Sequence, residues 1–459
     1  MTDSFDLVVL GAGSGGYACA LRAAQLGLSV ALVERGRVGG TCLHVGCIPT
    51  KALLHAAEVA DAARDSAQFG VTATLEGIDM GGVNKYKDAV VSRLYKGLTG
   101  LVRSRGITVV EGEGRLTGTR TVAVNGRELA GRTIVLATGS YPKTLPGLEV
   151  DGRRVLTSEH ALTLDHVPRS VVVLGGGVIG CEFASVWRSF GADVTVLEAL
   201  PRLLAGEDED SSRQLQRAFV RRGITCRVGT AFESLRDTGA GVEVTVAGGE
   251  RLEAEMLLVA VGRGPVTSGL GYDEQGVALD ERGFVVADDR LRTSVEGVYA
   301  VGDIVPGLQL AHRGFAQGIF VAEEVAGLAP TPVDEATVPR VTYCEPEVAS
   351  VGLTEAEARA TYGEDRVRAL TYDLAGNGRS QILRTQGFVK LVRVEGGPVV
   401  GVHVLGARAG ELIGEAQLVT GWQAHPEDVA PLVHAHPTQH EALGEAHLAL
   451  AGKPLHAHS

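Results

Sequence analysis

The sequence predicts an α/β protein that builds one parallel strand–helix–strand unit twice and closes with a separate α+β domain. Three observations carry that prediction. First, VVLGAGSGGYACALRAAQLGLSVALVE (Val8 to Glu34) returns in pattern as VVLGGGVIGCEFASVWRSFGADVTVLE (Val172 to Glu198). Each copy runs a β-branched apolar strand into a glycine-rich turn, a helix of small residues, a glycine stop and a second strand ending on Glu. Second, from about Thr337 the pattern changes to longer alternating strands, FVKLVRV and VVGVHVLGA, followed by the helical AGELIGEAQLVTGWQA. Third, 459 residues exceed what one hydrophobic core usually serves. The expected domains are 1–145 continued by 269–336, 146–268, and 337–459.

Within the repeated unit the glycines follow G-x-G-x-x-G: Gly11, Gly13 and Gly16, then Gly175, Gly177 and Gly180. In a chain with 62 glycines the triplet alone is a weak signal. Its setting is a strong one. Both copies follow a strand, open a helix and place a carboxylate, Glu34 or Glu198, 23 residues after the first glycine. That is the layout of a Rossmann-like dinucleotide-binding unit. The glycines let backbone approach a pyrophosphate, the helix N-terminus supplies N–H groups and positive potential, and the carboxylate accepts from ribose hydroxyls. Two dinucleotide sites are therefore expected. Between and after the units, TIVLATGS (Thr133 to Ser140) and VYAVGDI (Val298 to Ile304) read as short buried strands ending in polar turns.

A formal net charge of -12 and the absence of a basic run argue against a nucleic-acid or anionic-membrane surface. No apolar run approaches the roughly 18 residues a bilayer needs. The N-terminus enters a strand pattern without a basic, apolar leader, so a cytoplasmic protein is expected. Six cysteines are too few for a disulfide scaffold.

Two of them stand close together in GGTCLHVGCIPTK, at Cys42 and Cys47. A structural disulfide is one reading, disfavoured by a reducing compartment and by the small entropy a short loop returns. A metal site is another, but only His44 and His55 lie near, in no ligand spacing, and no metal is expected. Redox chemistry is the third. Ile48-Pro49 introduces the helix TKALLHAAEVADAAR, which puts Cys47 at a helix N-terminus where the dipole favours thiolate.

This segment resembles the active-site stretch of the flavin-dependent pyridine nucleotide-disulfide oxidoreductases, in particular of the dihydrolipoamide dehydrogenases among them. The resemblance runs from Leu7 to about Ala446, through GAGSGG, CLHVGC, LATGS, GGGVIGCE, GRGP, AVGDI with QLAH, PEVASVG and HPTQHEALGEA, in the family's order. It implies FAD in the first unit, held by Gly11, Gly13, Gly16 and Glu34, with Lys51, Gly114, Thr138, Gly139, Ser140, Asp303, Gln309, Leu310, Ala311 and His312 adding contacts. It implies Glu182 as the ion-pair partner of Lys51 beside the flavin ring. The second unit would hold the nicotinamide cofactor through Gly175, Gly177, Gly180 and Glu198, with Gly262 nearby. Glu198 points to NAD, since a carboxylate that accepts from a 2'-hydroxyl repels a 2'-phosphate, and the nearest arginine is Arg202.

The same resemblance implies that a dithiol attacks the Cys42–Cys47 disulfide at Cys42, that His436 is the acid-base catalyst and that Glu441 orients it. It implies a homodimer in which His436 reaches the partner subunit, making 337–459 an interface domain. The implied substrates are lipoyl groups of 2-oxo acid dehydrogenase complexes or of the glycine-cleavage carrier. A reductase of glutathione or mycothiol disulfide is the nearest alternative, and a non-catalytic redox-sensing flavoprotein a more distant one. The chain departs from many relatives at Val178, where they carry Tyr. It departs again at Gln439 and His440, the latter a rival base. His456 and His458 read as a solvated tail.

Overall fold

The computed structural model describes residues 3–456. β1 (Asp3–Leu10) feeds α1 (Ser14–Gln25), which returns the chain to β2 (Val30–Glu34), parallel to β1 with Val8 opposite Ala31. From Leu7 to Leu10 in β1 and Val30 to Val33 in β2 the residues are apolar on both faces, because a parallel strand is covered on both sides, and Val8, Val9, Leu32 and Val33 are fully buried. Two consecutive helices follow, α2 (Gly40–Val45) with Cys42 and α3 (Cys47–Arg64) with Cys47 at its first position. α4 (Met80–Ser104) is a 25-residue helix that the sequence pattern alone does not single out. β3 (Arg127–Leu136) then pairs with the other edge of β1. Thr108–Glu111, the hairpin of Gly114–Gly118 with Thr121–Val124, and Val298–Ala300 complete a seven-stranded sheet.

The second unit repeats the first. β4 (Ser170–Leu174), α5 (Val178–Phe190) and β5 (Asp193–Leu197) form its strand–helix–strand core. α6 (Glu209–Arg221) and β6 (Met256–Val259) extend it into a five-stranded parallel sheet with β4 between β5 and β6. A three-stranded antiparallel meander over 232–254 is inserted before β6. Tyr141 of the LATGS turn region pairs antiparallel with Gly264 of GRGP, so two separate motifs share a short ribbon. The expected strand through Ser140 in fact ends at Leu136, and Ser140–Pro142 belongs to that ribbon. α7 (Ala311–Val325) packs against α1 and returns the chain to the first unit.

The C-terminal part is a five-stranded antiparallel sheet. Its members are β7 (Arg340–Thr342), β8 (Glu347–Gly352), β9 (Val367–Asp373), β10 (Phe388–Val394) and β11 (Val399–Gly406), ordered β7-β8-β11-β10-β9. α8 (Glu355–Tyr362) joins β8 to β9, while α9 (Ala409–Gly421) and α10 (Glu441–Leu450) cover the sheet. Alternation in FVKLVRV suggests one wet face, yet every residue of β10 is buried. Lys390 meets the buried Asp208 carboxylate, and Arg393 meets Glu427, whose own side chain is exposed, so each buried cation has a carboxylate partner. One core cluster spans the units, bringing Leu53, Ala57 and Ala60 of α3 against Phe183 and Trp187 of α5. That packing fixes the cysteine helix to the second unit. No helix among the described residues is long and apolar enough to cross a membrane.

Candidate functional site

The two glycine turns have matching geometry. Gly11 and Gly175 take φ of 103° and 113°, in the left-handed region that favours glycine. A Cβ added at Gly16 would lie 1.8 Å from the Gly11 carbonyl oxygen, and one at Gly180 1.9 Å from that of Gly175. Gly13 and Gly177 instead have no heavy atom within 4 Å of an added Cβ. Those open faces lie at the N-termini of α1 and α5 and fit one pyrophosphate each. Glu34 accepts from the N–H groups of Ala12 (2.7 Å) and Gly36 (2.8 Å). Glu198 does the same with Gly176 (2.6 Å) and Leu200 (2.7 Å), leaving carboxylate lone pairs on each for ribose hydroxyls. Arg202 is turned away, donating to the carbonyls of Ala205 (2.7 Å) and Glu207 (3.3 Å).

Between the turns lies a cleft of about 980 Å³, bordered by Gly13, Gly177, Cys42, Cys47, Lys51 and Glu182. Lys51 Nζ sits 2.8 and 2.9 Å from the Glu182 carboxylate, as the resemblance implies, and 4.8 Å from the Tyr343 ring centre. The Tyr343 N–H donates to Glu182 Oε1 at 3.0 Å. Burial works against the Lys51 charge, but Glu182 outweighs it and holds the ammonium pKa above its ordinary value. Tyr343 was not visible in the sequence, because only tertiary packing brings it beneath Glu182.

Both cysteines are reduced here, and they are unequal. The hydrogen bond from the Cys42 thiol holds Cys47 down to about 7 against burial, with the Lys51 charge assisting. The same hydrogen bond and burial push Cys42 far up, so Cys42 keeps its proton. His44 contacts the Val38 carbonyl and His55 contacts Glu58, each at 3.0 Å, so neither joins the sulfurs.

Asp303, in a 3-10 turn, accepts from Ser140 Oγ at 2.5 Å, and Arg263 Nε donates to the same Ser140 Oγ at 2.7 Å. Arg263 is a further cleft residue that the GRGP motif contained but that sequence reasoning did not single out. Gln309 donates to the Asp303 carbonyl at 3.2 Å. Gln309, Leu310, Ala311 and His312 border the same cleft, as do Gly139 and Gly262. His312 Nε2 itself meets the Pro339 carbonyl at 2.7 Å. The Thr138 hydroxyl is taken up by Val266 O (2.6 Å) and the Tyr272 hydroxyl (3.0 Å), which leaves its backbone for a ligand. Gly114 borders a small separate pocket with Gly11, Glu34 and Thr138.

Residues 5–318 match the family described as pyridine nucleotide-disulphide oxidoreductase, and residues 338–447 match that family's dimerisation domain. The chain belongs to the pyridine nucleotide-disulphide oxidoreductases. It is 40% identical to the mitochondrial dihydrolipoyl dehydrogenase of Pisum sativum, over 99% of this chain and 93% of that one. It is 39% identical to the dihydrolipoyl dehydrogenase of Bacillus subtilis, over 99% and 100%. A leghemoglobin reductase of Glycine max is 40% identical, over 100% and 89%. Among solved structures, LpdA from Mycobacterium tuberculosis superposes with a TM-score of 0.91 at 27% identity, covering 98% of this chain and 100% of that one. The HOCl-induced flavoprotein disulfide reductase RclA of Escherichia coli, as its Cu(II) complex, reaches 0.88 at 27%, covering 98% and 100%.

As a pyridine nucleotide-disulphide oxidoreductase the chain uses FAD and NAD, and its dimerisation domain supports a homodimer. The histidines and glutamate of the C-terminal domain stand apart from the cleft. His436, with a side chain 77% exposed, holds Glu441 at 2.8 Å through Nδ1 and does not border its own chain's thiol cleft. Burial pushes the Glu441 carboxyl up, but the Thr438 N–H and the His436 ring together hold it below the ordinary value. His440 is drawn to Glu415 at 3.2 Å, a carboxylate that also holds His434 at 2.7 Å. His456 is less free than a solvated tail implies. Its N–H and ring contact Glu445 at 3.0 and 2.9 Å, while His458 lies outside the described residues.

Proposed function

We propose that this oxidoreductase oxidises protein-bound dihydrolipoyl groups and reduces NAD, with FAD in the first unit and NAD in the second. The observation that carries the reading is the placement of Cys42 and Cys47, with Lys51, in the one cleft that both glycine turns border. Full-length relatives named dihydrolipoyl dehydrogenase at about 40% identity support it. Lipoyl domains of 2-oxo acid dehydrogenase complexes, or the glycine-cleavage carrier, are the proposed partners, in the cytoplasm. The domain limits 1–145 with 269–336, 146–268 and 337–459 belong to the same reading.

Bound in the first unit, FAD supplies a two-electron relay between the thiols and the nicotinamide. The chain does the rest. Glu441 is an acceptor only, so the His436 Nδ1–H donates to it and Nε2 is left to take a proton from the dithiol. His436 serves the thiols of the partner protomer. The substrate thiolate attacks Cys42 of the disulfide, a bond forms between substrate sulfur and Cys42, and Cys47 leaves as thiolate. The second substrate thiol, deprotonated in turn, closes the product ring and releases Cys42, which takes up the proton. Lys51 stabilises the Cys47 anion, and Glu182 keeps Lys51 charged and in place. Glu198, with Arg202 tied elsewhere, selects NAD over NADP. Turnover of dihydrolipoamide with NAD, compared with turnover of NADPH with glutathione or mycothiol disulfide, tests the reading. Preference for the second pair would overturn it.

A further inference from the structure

The loop that leaves Glu198 runs to α6 by way of Gly206, Glu207 and Asp208, and all three are held by the C-terminal domain. Arg340 of β7 reaches the Gly206 carbonyl at 3.5 Å and the Glu207 carboxylate at 3.3 Å. Ser350 of β8 donates to Glu207 at 2.5 Å. The Glu355 N–H, opening α8, donates to Asp208 at 3.1 Å. At the centre Lys390 of β10, with a side chain only 4% exposed, meets Asp208 at 2.9 Å, Asp210 at 2.7 Å and Glu355 at 2.8 Å.

A lysine has three donors, and all three are used here by carboxylates from the second unit and the C-terminal domain. Such a cluster is a weak source of stability, because desolvation consumes most of its Coulomb energy, but it fixes geometry. The geometry it fixes continues to the cofactor turn. The Glu207 N–H donates to the Leu204 carbonyl at 2.8 Å, and the Leu204 N–H donates to the Gly176 carbonyl at 2.9 Å. A Cβ at Gly176 would lie 2.6 Å from Leu203 and 3.1 Å from Glu198, so loop, turn and carboxylate are in direct contact.

We infer that Lys390 is a positioning residue for the nicotinamide cofactor: gathering Asp208, Asp210 and Glu355, it fixes from the dimerisation domain the loop that sets Glu198 against the second glycine turn. The inference rests on the assignment of NAD to the second unit. The C-terminal domain thus has a role within its own chain besides pairing two copies. Arginine at this position keeps the charge, but its planar fork cannot converge on three carboxylates from different directions.

The test uses the flavin-loaded homodimer with Lys390→Arg, which retains the buried positive charge. The NAD dissociation constant, measured by calorimetry, should rise roughly five- to tenfold. The rate at which dihydrolipoamide reduces the flavin should stay within twofold of wild type. Hydrogen exchange over residues 199–208 should quicken in the variant. An unchanged NAD dissociation constant, or an equal loss in both half-reactions, overturns the inference. Wild-type dithiol oxidation is read separately, so the proposed function and the Lys390 role fail independently.

Discussion

The first glycine turn is walled in by chain that arrives much later: Asp303 and Gln309 to His312 border its cleft on one side, and Asp88 and Tyr95 of α4 on the other. The second turn has Val178 and Leu200 at its mouth, 42% and 52% exposed. Yet the turns themselves are nearly superimposable in their constraints, with the same close approach at Gly16 and Gly180 and the same pair of N–H groups on Glu34 and Glu198. The local pattern therefore specifies that a dinucleotide binds. What surrounds the pattern separates the two: distant chain segments border the first turn, while Val178 and Leu200 of the second unit itself stand beside the second.

The sharpest way to break that comparison is to add one carbon at the equivalent glycines. Gly16→Ala should yield protein without flavin, and Gly180→Ala protein that keeps its flavin but no longer reduces NAD, as flavin content and NADH formation will show. Equal flavin loss in both would mean that the turns are not functionally separate. Next in size is Lys51→Met at the contact between the units. It leaves Glu182, 2% exposed, without its cation, and should destabilise the protein by about 3–5 kcal/mol in chemical denaturation. Glu198→Ser should weaken NAD binding roughly tenfold without disturbing flavin reduction by dithiol, in keeping with the usual strength of one such contact. NADP should gain little, because Arg202 is committed to the carbonyls of Ala205 and Glu207.

The smallest effect concerns protonation. The Cys47 pKa is depressed to about 7 from the ordinary 9.0 by the Cys42 hydrogen bond and then by Lys51, so the thiolate is present above pH 7 and lost below it. The ultraviolet thiolate absorbance of the reduced protein should rise through an inflection near pH 7. A single inflection near 9 would contradict the unequal pair.

Elements whose cause is local were legible in the sequence. The repeated strand–turn–helix pattern, the carboxylates Glu34 and Glu198, and Cys47 at a helix start all follow from short-range spacing. Tyr343, Arg263 and the burial of Lys390 were not legible, because each acquires its role from a partner more than 100 residues away, at Glu182, Ser140 and Asp208. The charges of FVKLVRV were legible, but not their burial: Lys390 meets Asp208 of the second unit, and Arg393 meets Glu427 within the C-terminal domain. His436 was legible only through the HPTQHE resemblance, since on one chain it is an exposed imidazole paired with Glu441.

The most direct test of the central claim, that Cys42 and Cys47 carry electron pairs from a dithiol to the flavin, is an anaerobic titration of the purified homodimer with dihydrolipoamide, monitored by flavin absorbance. Wild type should take up electrons and change its flavin spectrum, while Cys42→Ser, with flavin still bound, should remain unchanged. A Cys42→Ser flavin that responds to dihydrolipoamide like wild type would contradict the account.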